Sequence, residues 1–136
     1  MLKLRRVDNE RSREVVKRLE IYVRKIVEAF QPDLVILYGS FASGDINEGS
    51  DIDLLVVAAF NQPFLDRIKV LLSMNQESMP VEPVGYTAEE FLEMVGRRNP
   101  FVTEVIATGK ILYRTDEGSK LLEKASECVG KVRYST

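Results

Sequence analysis

Leu37-Tyr38-Gly39-Ser40-Phe41-Ala42-Ser43-Gly44-Asp45-Ile46-Asn47-Glu48-Gly49-Ser50-Asp51-Ile52-Asp53-Leu54-Leu55-Val56-Val57 is the stretch whose reading decides the fold. It joins two apolar runs through a loop containing Gly44, Asn47 and Gly49. The first run, Asp33 to Tyr38, is rich in strand formers and is halted by Gly39-Ser40. The second, Ile52 to Val57, reads as another buried strand. Glycine lets the backbone turn sharply and a ligand approach closely. If a short helix opens at Ser40, its free N–H groups and dipole face an incoming phosphate, and the hydroxyl adds a donor. An ordinary strand-to-helix turn would use the same two residues.

Asp51-Ile52-Asp53 is the more informative part. Residues two apart in a strand share a face, so both carboxylates point one way and Ile52 points into the core. Like charges side by side repel, and a divalent cation resolves the repulsion. Mg²⁺ is commonly held by one or two carboxylates together with substrate phosphates. The alternative is a solvent-facing acidic pair that caps a turn, although the strand continues as an apolar run through Leu54–Val57. Glu82, in Val81-Glu82-Pro83-Val84-Gly85-Tyr86, completes a three-carboxylate cluster if its run pairs beside the Asp51–Asp53 strand. Three acids can hold two ions about 3.5–4 Å apart. An edge-strand acid facing water is the other reading of Glu82, and Pro83 favours an edge position.

Outward from this segment, apolar residues recur at helical steps from Val15 to Phe30, giving one long amphipathic helix that Pro32 ends. Pro63 opens a helix to about Met74, with Phe64, Leu65, Ile68, Leu71 and Leu72 as its apolar positions. Thr87 and Glu90 form a capping-box pattern, and Asn99-Pro100 starts another helix that Gly109 closes. Ile111–Tyr113 reads as a short strand and Asp116 to about Val129 as a last helix. The order α-β-β-α-β-α-α-β-α predicts an α/β (α+β) fold, a single mixed β-sheet packed with helices. The 136 residues fit one domain spanning 1–136.

Composition narrows the chemistry. No histidine is present, which removes serine–histidine and cysteine–histidine catalysis and histidine-ligated zinc. The lone Cys128 excludes an internal disulfide and a cysteine zinc framework. Carboxylates and a hard cation are the remaining tools. No apolar run approaches the ~18 residues of a membrane span, and no signal-like block opens the chain, so a cytoplasmic location without membrane contact is expected. Residues 1–25 hold nine Lys/Arg against four acids, and the rest hold ten against seventeen. A basic end on an acidic body attracts phosphates or an acidic partner, or is simply a solvated helix face.

The Gly39-Ser40 pair followed by Ser50-Asp51-Ile52-Asp53-Leu54 after a glycine-containing loop resembles the signature of the polymerase-β-like nucleotidyltransferase superfamily, most of all its minimal members. The third-strand acid, Tyr86-Thr87-Ala88-Glu89-Glu90-Phe91 and Gly109-Lys110-Ile111-Leu112-Tyr113 extend the likeness. The resemblance implies a nucleotidyltransferase fold and a Mg²⁺-dependent enzyme, with Asp51 and Asp53 as metal ligands. Glu82 would be the third carboxylate, a catalytic and metal-binding residue that helps deprotonate the acceptor. Gly39, Ser40 and Ser50 would bind the nucleotide, ATP or another NTP. The family more often shows Asp at position 82, and Pro83 directly after it is unusual, which bears on the reach and rigidity of that carboxylate. Minimal members are commonly paired with a HEPN-type protein, and some act as antitoxins that adenylylate it. The resemblance thus implies transfer of an NMP, from ATP, to a hydroxyl on a HEPN-type partner. Two other readings stand beside it: a non-catalytic subunit that masks such a partner, and an RNA-binding module using the basic N-terminal helix. No RNA-binding motif supports the last, so nucleic acid is not an expected partner. Self-association is left open.

Overall fold

Two central strands, whose alternate residues face opposite sides of the sheet, divide the molecule into two cores. The computed structural model describes residues 10–42, 51–76 and 78–129. Its elements run α1 (Glu10–Phe30), β1 (Leu34–Tyr38), β2 (Ile52–Val57), α2 (Phe64–Ser73), β3 (Val81–Tyr86), α3 (Ala88–Gly96), α4 (Pro100–Thr108), β4 (Lys110–Arg114) and α5 (Asp116–Val129). The four strands form one sheet in the order β3-β2-β1-β4. β1 is antiparallel to both β2 and β4, while β2 and β3 are parallel. The mixed sheet and the element order match the sequence reading.

On one face, Val35, Leu37, Ile52, Leu54, Val56 and Val81 pack with α1 and α2. The stripe of α1 supplies Leu19, Tyr22, Val23 and Ile26, all buried, while Arg13, Lys17, Arg18 and Arg24 are exposed. Along the described part of α1 these four basic residues therefore lie on the solvent side. On the other face, Leu34, Ile36, Leu55 and Val57 pack with Phe91, Val95, Val102, Val105, Leu121 and Ala125 of α3, α4 and α5. β1 and β2 are covered on both faces, which is why both read as unbroken apolar runs. β3 lies at the sheet edge, where Pro83 is tolerated because a missing N–H can face away from the single neighbour.

Capping follows the local chemistry. Thr87 accepts from the Glu90 N–H at 3.1 Å, and Glu90 accepts from the Thr87 N–H at 2.9 Å, closing the box that starts α3. Asn99 Oδ1 accepts from the N–H groups of Phe101 and Val102 and starts α4. Gly109 ends α4 in an extended conformation, φ −74°. It is glycine for packing, because a Cβ there would meet Ile36 and the Val105 carbonyl.

α2 departs from expectation. Phe64, Leu65 and Leu72 are exposed, whereas Arg67 is buried beside Leu71. The guanidinium is satisfied from every side: Nε donates to the Gln62 carbonyl at 2.7 Å and one terminal nitrogen to the Gly85 carbonyl at 3.1 Å. Both terminal nitrogens donate to Glu90, at 2.7 and 3.2 Å, and the Phe60 ring lies 5.4 Å from the guanidinium. A buried charge is tolerable only with such pairing. Among the described residues no helix is long and apolar enough to cross a membrane.

Candidate active site

The chain leaves β1 at Gly39 with φ 82°, a left-handed conformation that favours glycine. Glycine is needed for a second reason: a Cβ at this position would land on Asp53 Oδ2. Any side chain at this position therefore meets the Asp53 carboxylate before it meets a ligand. The Ala42 N–H then donates to the Gly39 carbonyl at 3.1 Å, closing a turn with Ser40 exposed on it. Phe41 and Ala42 plug into the core on the α1–α2 face, each 1% exposed, and anchor that turn. Residues 43–50, including Ser50, lie outside the described residues.

Asp51 immediately precedes β2 and is exposed, Ile52 is buried, and Asp53 is partly buried. The Ile52 N–H donates to the Pro80 carbonyl at 2.9 Å, tying the start of β2 to the approach of β3. Asp53 is opposite Tyr38 of β1 on one side and Glu82 of β3 on the other. Register partners share a face, so three neighbouring strands present Tyr38, Asp53 and Glu82 in one row on the α3–α5 side.

The row is electrostatically strained. Burial and the Asp51 charge raise the Asp53 carboxyl above the ordinary aspartate value, while a hydrogen bond shared with Glu82 opposes them. Glu82 is raised too, first by the Asp51 charge and then by that of Asp53. Tyr38 is pushed up to about 12, mainly by burial, then by Asp53, Tyr86 and Glu82. Its ring is braced edge-on against Phe101 of α4, with centroids 5.4 Å apart. Among the described residues no lysine or arginine pairs with Asp51, Asp53 or Glu82. The three acids influence one another without closing on one point, since no group of three acidic or cysteine side chains meets ligand geometry among the described residues. The donor chemistry nonetheless fits a hard divalent cation: carboxylate oxygens, paired with no cation among the described residues, on one sheet end.

A family model described as "Polymerase beta, Nucleotidyltransferase" matches residues 22–118, which include the Gly39 turn and all three acids. The chain belongs to this nucleotidyltransferase family. A provisionally assigned protein adenylyltransferase of Methanocaldococcus jannaschii is 30% identical over 130 residues, covering 85% of this chain and 83% of that protein. A solved structure described as a toxin–antitoxin with AMP-PNP superimposes with a TM-score of 0.54 at 22% identity. It covers 82% of this chain and 85% of its own, which shows a shared fold.

The nucleotidyltransferase has two features near the row that sequence reading passed over. Tyr38 counted only as a strand residue, and nothing in one dimension showed that it faces Asp53. Arg67, set among the apolar positions of α2, drew no reading from the sequence. It holds the Gly85 carbonyl, three residues along β3 from Glu82, and so helps fix the strand that carries the third acid.

Proposed function

We propose that this nucleotidyltransferase moves an NMP from an NTP, most readily AMP from ATP, to a hydroxyl on a partner protein. The observation that carries the reading is the row of carboxylates that no cation among the described residues neutralises, beside a glycine whose missing side chain leaves room for Asp53. Asp51 and Asp53 would hold Mg²⁺, with Glu82 as third carboxylate. Bound there, the ion would neutralise charge that develops on the transferred phosphate. The exposed Gly39–Ser40 turn offers backbone and hydroxyl donors to the triphosphate. Glu82, exposed at the sheet edge, accepts the proton of the acceptor hydroxyl as its oxygen bonds to the α-phosphorus. The bond between the α-phosphorus and the bridging oxygen breaks, and pyrophosphate leaves. The name of the archaeal relative and the AMP-PNP in the structural neighbour support a protein acceptor and ATP. The HEPN-type identity of the partner rests on the sequence resemblance, and a HEPN-like neighbouring reading frame would support it.

The test mixes the chain with that candidate partner, Mg²⁺ and ATP labelled at the α-phosphate, and follows label entering protein. Glu82→Gln is expected to bind ATP nearly as well as wild type and to transfer ~10²-fold more slowly or worse. Equal transfer rates would make Glu82 a surface acid. Tight partner binding without label in either protein would leave a masking subunit as the better reading.

A further inference from the structure

We infer that the loop joining α3 to α4 is a docking point for an acidic stretch of the acceptor protein, gripped by Arg97 and Arg98. The inference rests on the protein-acceptor reading above and names the chemistry of that acceptor. α3 starts directly after the far end of β3, and its nine residues run roughly 13 Å, about two-thirds of the roughly 20 Å of the six-residue strand. A helix packed back along β3 thus carries the chain most of the way towards the end of the sheet where Glu82 lies. Contact of Phe101 with Tyr38, the residue opposite Asp53, places the first turn of α4 at that same end. α3 packs on β3 and α4 on β1, so the loop between them crosses at the level of β2 and its aspartates.

The loop is held in one shape. The N–H groups of Arg97, Arg98 and Asn99 donate to the carbonyls of Glu93, Val95 and Met94 at 3.0, 2.9 and 2.9 Å. Arg98 has φ 56°, a position that glycine or asparagine would occupy with less strain. Both arginines are exposed, and neither side chain makes a hydrogen bond or ion pair among the described residues. Asn99 already occupies the first N–H groups of α4, so anion recognition here falls to the two guanidinium forks. The nucleotide is the less fitting occupant. The Gly39–Ser40 turn is rooted in the α1–α2 core, whereas the loop that carries the arginines joins α3 and α4, two helices that pack on the face carrying Glu82. An acidic segment would be repelled by the carboxylate row itself, so cations at its rim give it a place to dock and a fixed register.

The probes are two fluorescein-labelled peptides with one central tyrosine, flanked by glutamates in one and by glutamines in the other. They are titrated by anisotropy with the full chain, without ATP, at low and at 0.3 M salt. The glutamate peptide is expected to bind at least ~10-fold more tightly and to lose that preference at high salt. The double variant Arg97→Gln/Arg98→Asn is expected to bind both peptides alike, with Mg²⁺–ATP affinity and melting temperature unchanged. Lysine at both positions is expected to restore part of the preference. Arg97→Gln alone, at an ordinary backbone conformation, serves if the double variant folds poorly. Equal binding of the two peptides by wild type, or none, overturns the inference. So does a double variant that keeps the preference and loses ATP affinity, or tighter binding of a uridine-rich RNA oligomer through these arginines. Peptide binding is read without turnover, so missing transfer activity would sink the proposed function and leave this measurement standing.

Discussion

Gly39 carries two constraints at one position, a left-handed backbone and the space taken by the Asp53 carboxylate. Gly39→Ala is expected to cost about 1–2 kcal/mol from the backbone conformation alone. It should also push Asp53 out of the row and weaken Mg²⁺ binding; denaturant titration and metal-dependent thermal shifts read the two effects separately. Unchanged metal response would show that Asp53 is not a ligand. Asp53 itself tests the strain of the row. Its carboxyl, like that of Glu82, is raised above the unfolded value, so the folded state binds protons more tightly than the unfolded chain. The charged row thus costs stability at neutral pH, and the cost falls away as pH drops through the raised values. In metal-free buffer Asp53→Asn is expected to melt slightly higher than wild type at pH 7, the gap closing as pH falls through the raised value. A large loss of stability instead would mean a structural aspartate.

The Arg67–Glu90 clasp binds the start of α2, the end of β3 and the first turn of α3, so its removal is felt across elements. Arg67→Met is expected to destabilise by about 2–3 kcal/mol, read by urea unfolding, because two backbone carbonyls and a half-exposed carboxylate lose their donor. Glu90 gives the pH signature. The Arg67 hydrogen bonds hold its carboxyl below the usual glutamate value. Its folded pKa is depressed, so its contribution is present above the unfolded value of 4.5 and is lost as pH falls through the depressed one. The stability gap between wild type and Glu90→Gln should be widest near neutrality and shrink below about pH 4. A gap that did not vary with pH would assign the loss to the Thr87 capping box rather than to the ion pair.

The two apolar cores share β1 and β2 as a common wall, since Leu54 faces one and Leu55 the other. Neither side can open without exposing strands that the other needs. Leu54→Ala and Leu55→Ala are each expected to cost about 2–5 kcal/mol. Unfolding should remain one transition in both, with circular dichroism and tyrosine fluorescence coinciding. Two separated transitions would show that the layers are independent.

Strand and helix order was legible because each element states its own period: double-sided burial in Leu34–Leu37 and Leu54–Val57, the stripe of α1, and the caps at Thr87 and Asn99. The Asp-x-Asp spacing likewise announced two carboxylates on one face. Other features depend on which strands become neighbours, and no local pattern encodes that. Only the parallel pairing of β2 with β3 brought Glu82 opposite Asp53, and only β1–β2 pairing set Tyr38 on the other side. Arg67 drew no reading because Gly85 and Glu90, which hold its guanidinium, belong to other elements. Gly39 looked like a turn glycine until Asp53 filled the space of its missing side chain. Backbone period and capping are short-range chemistry and belong to the sequence itself. The alignment of Tyr38, Asp53 and Glu82 across three strands, with Gly39 against Asp53, is long-range packing, which exists only once the sheet has closed.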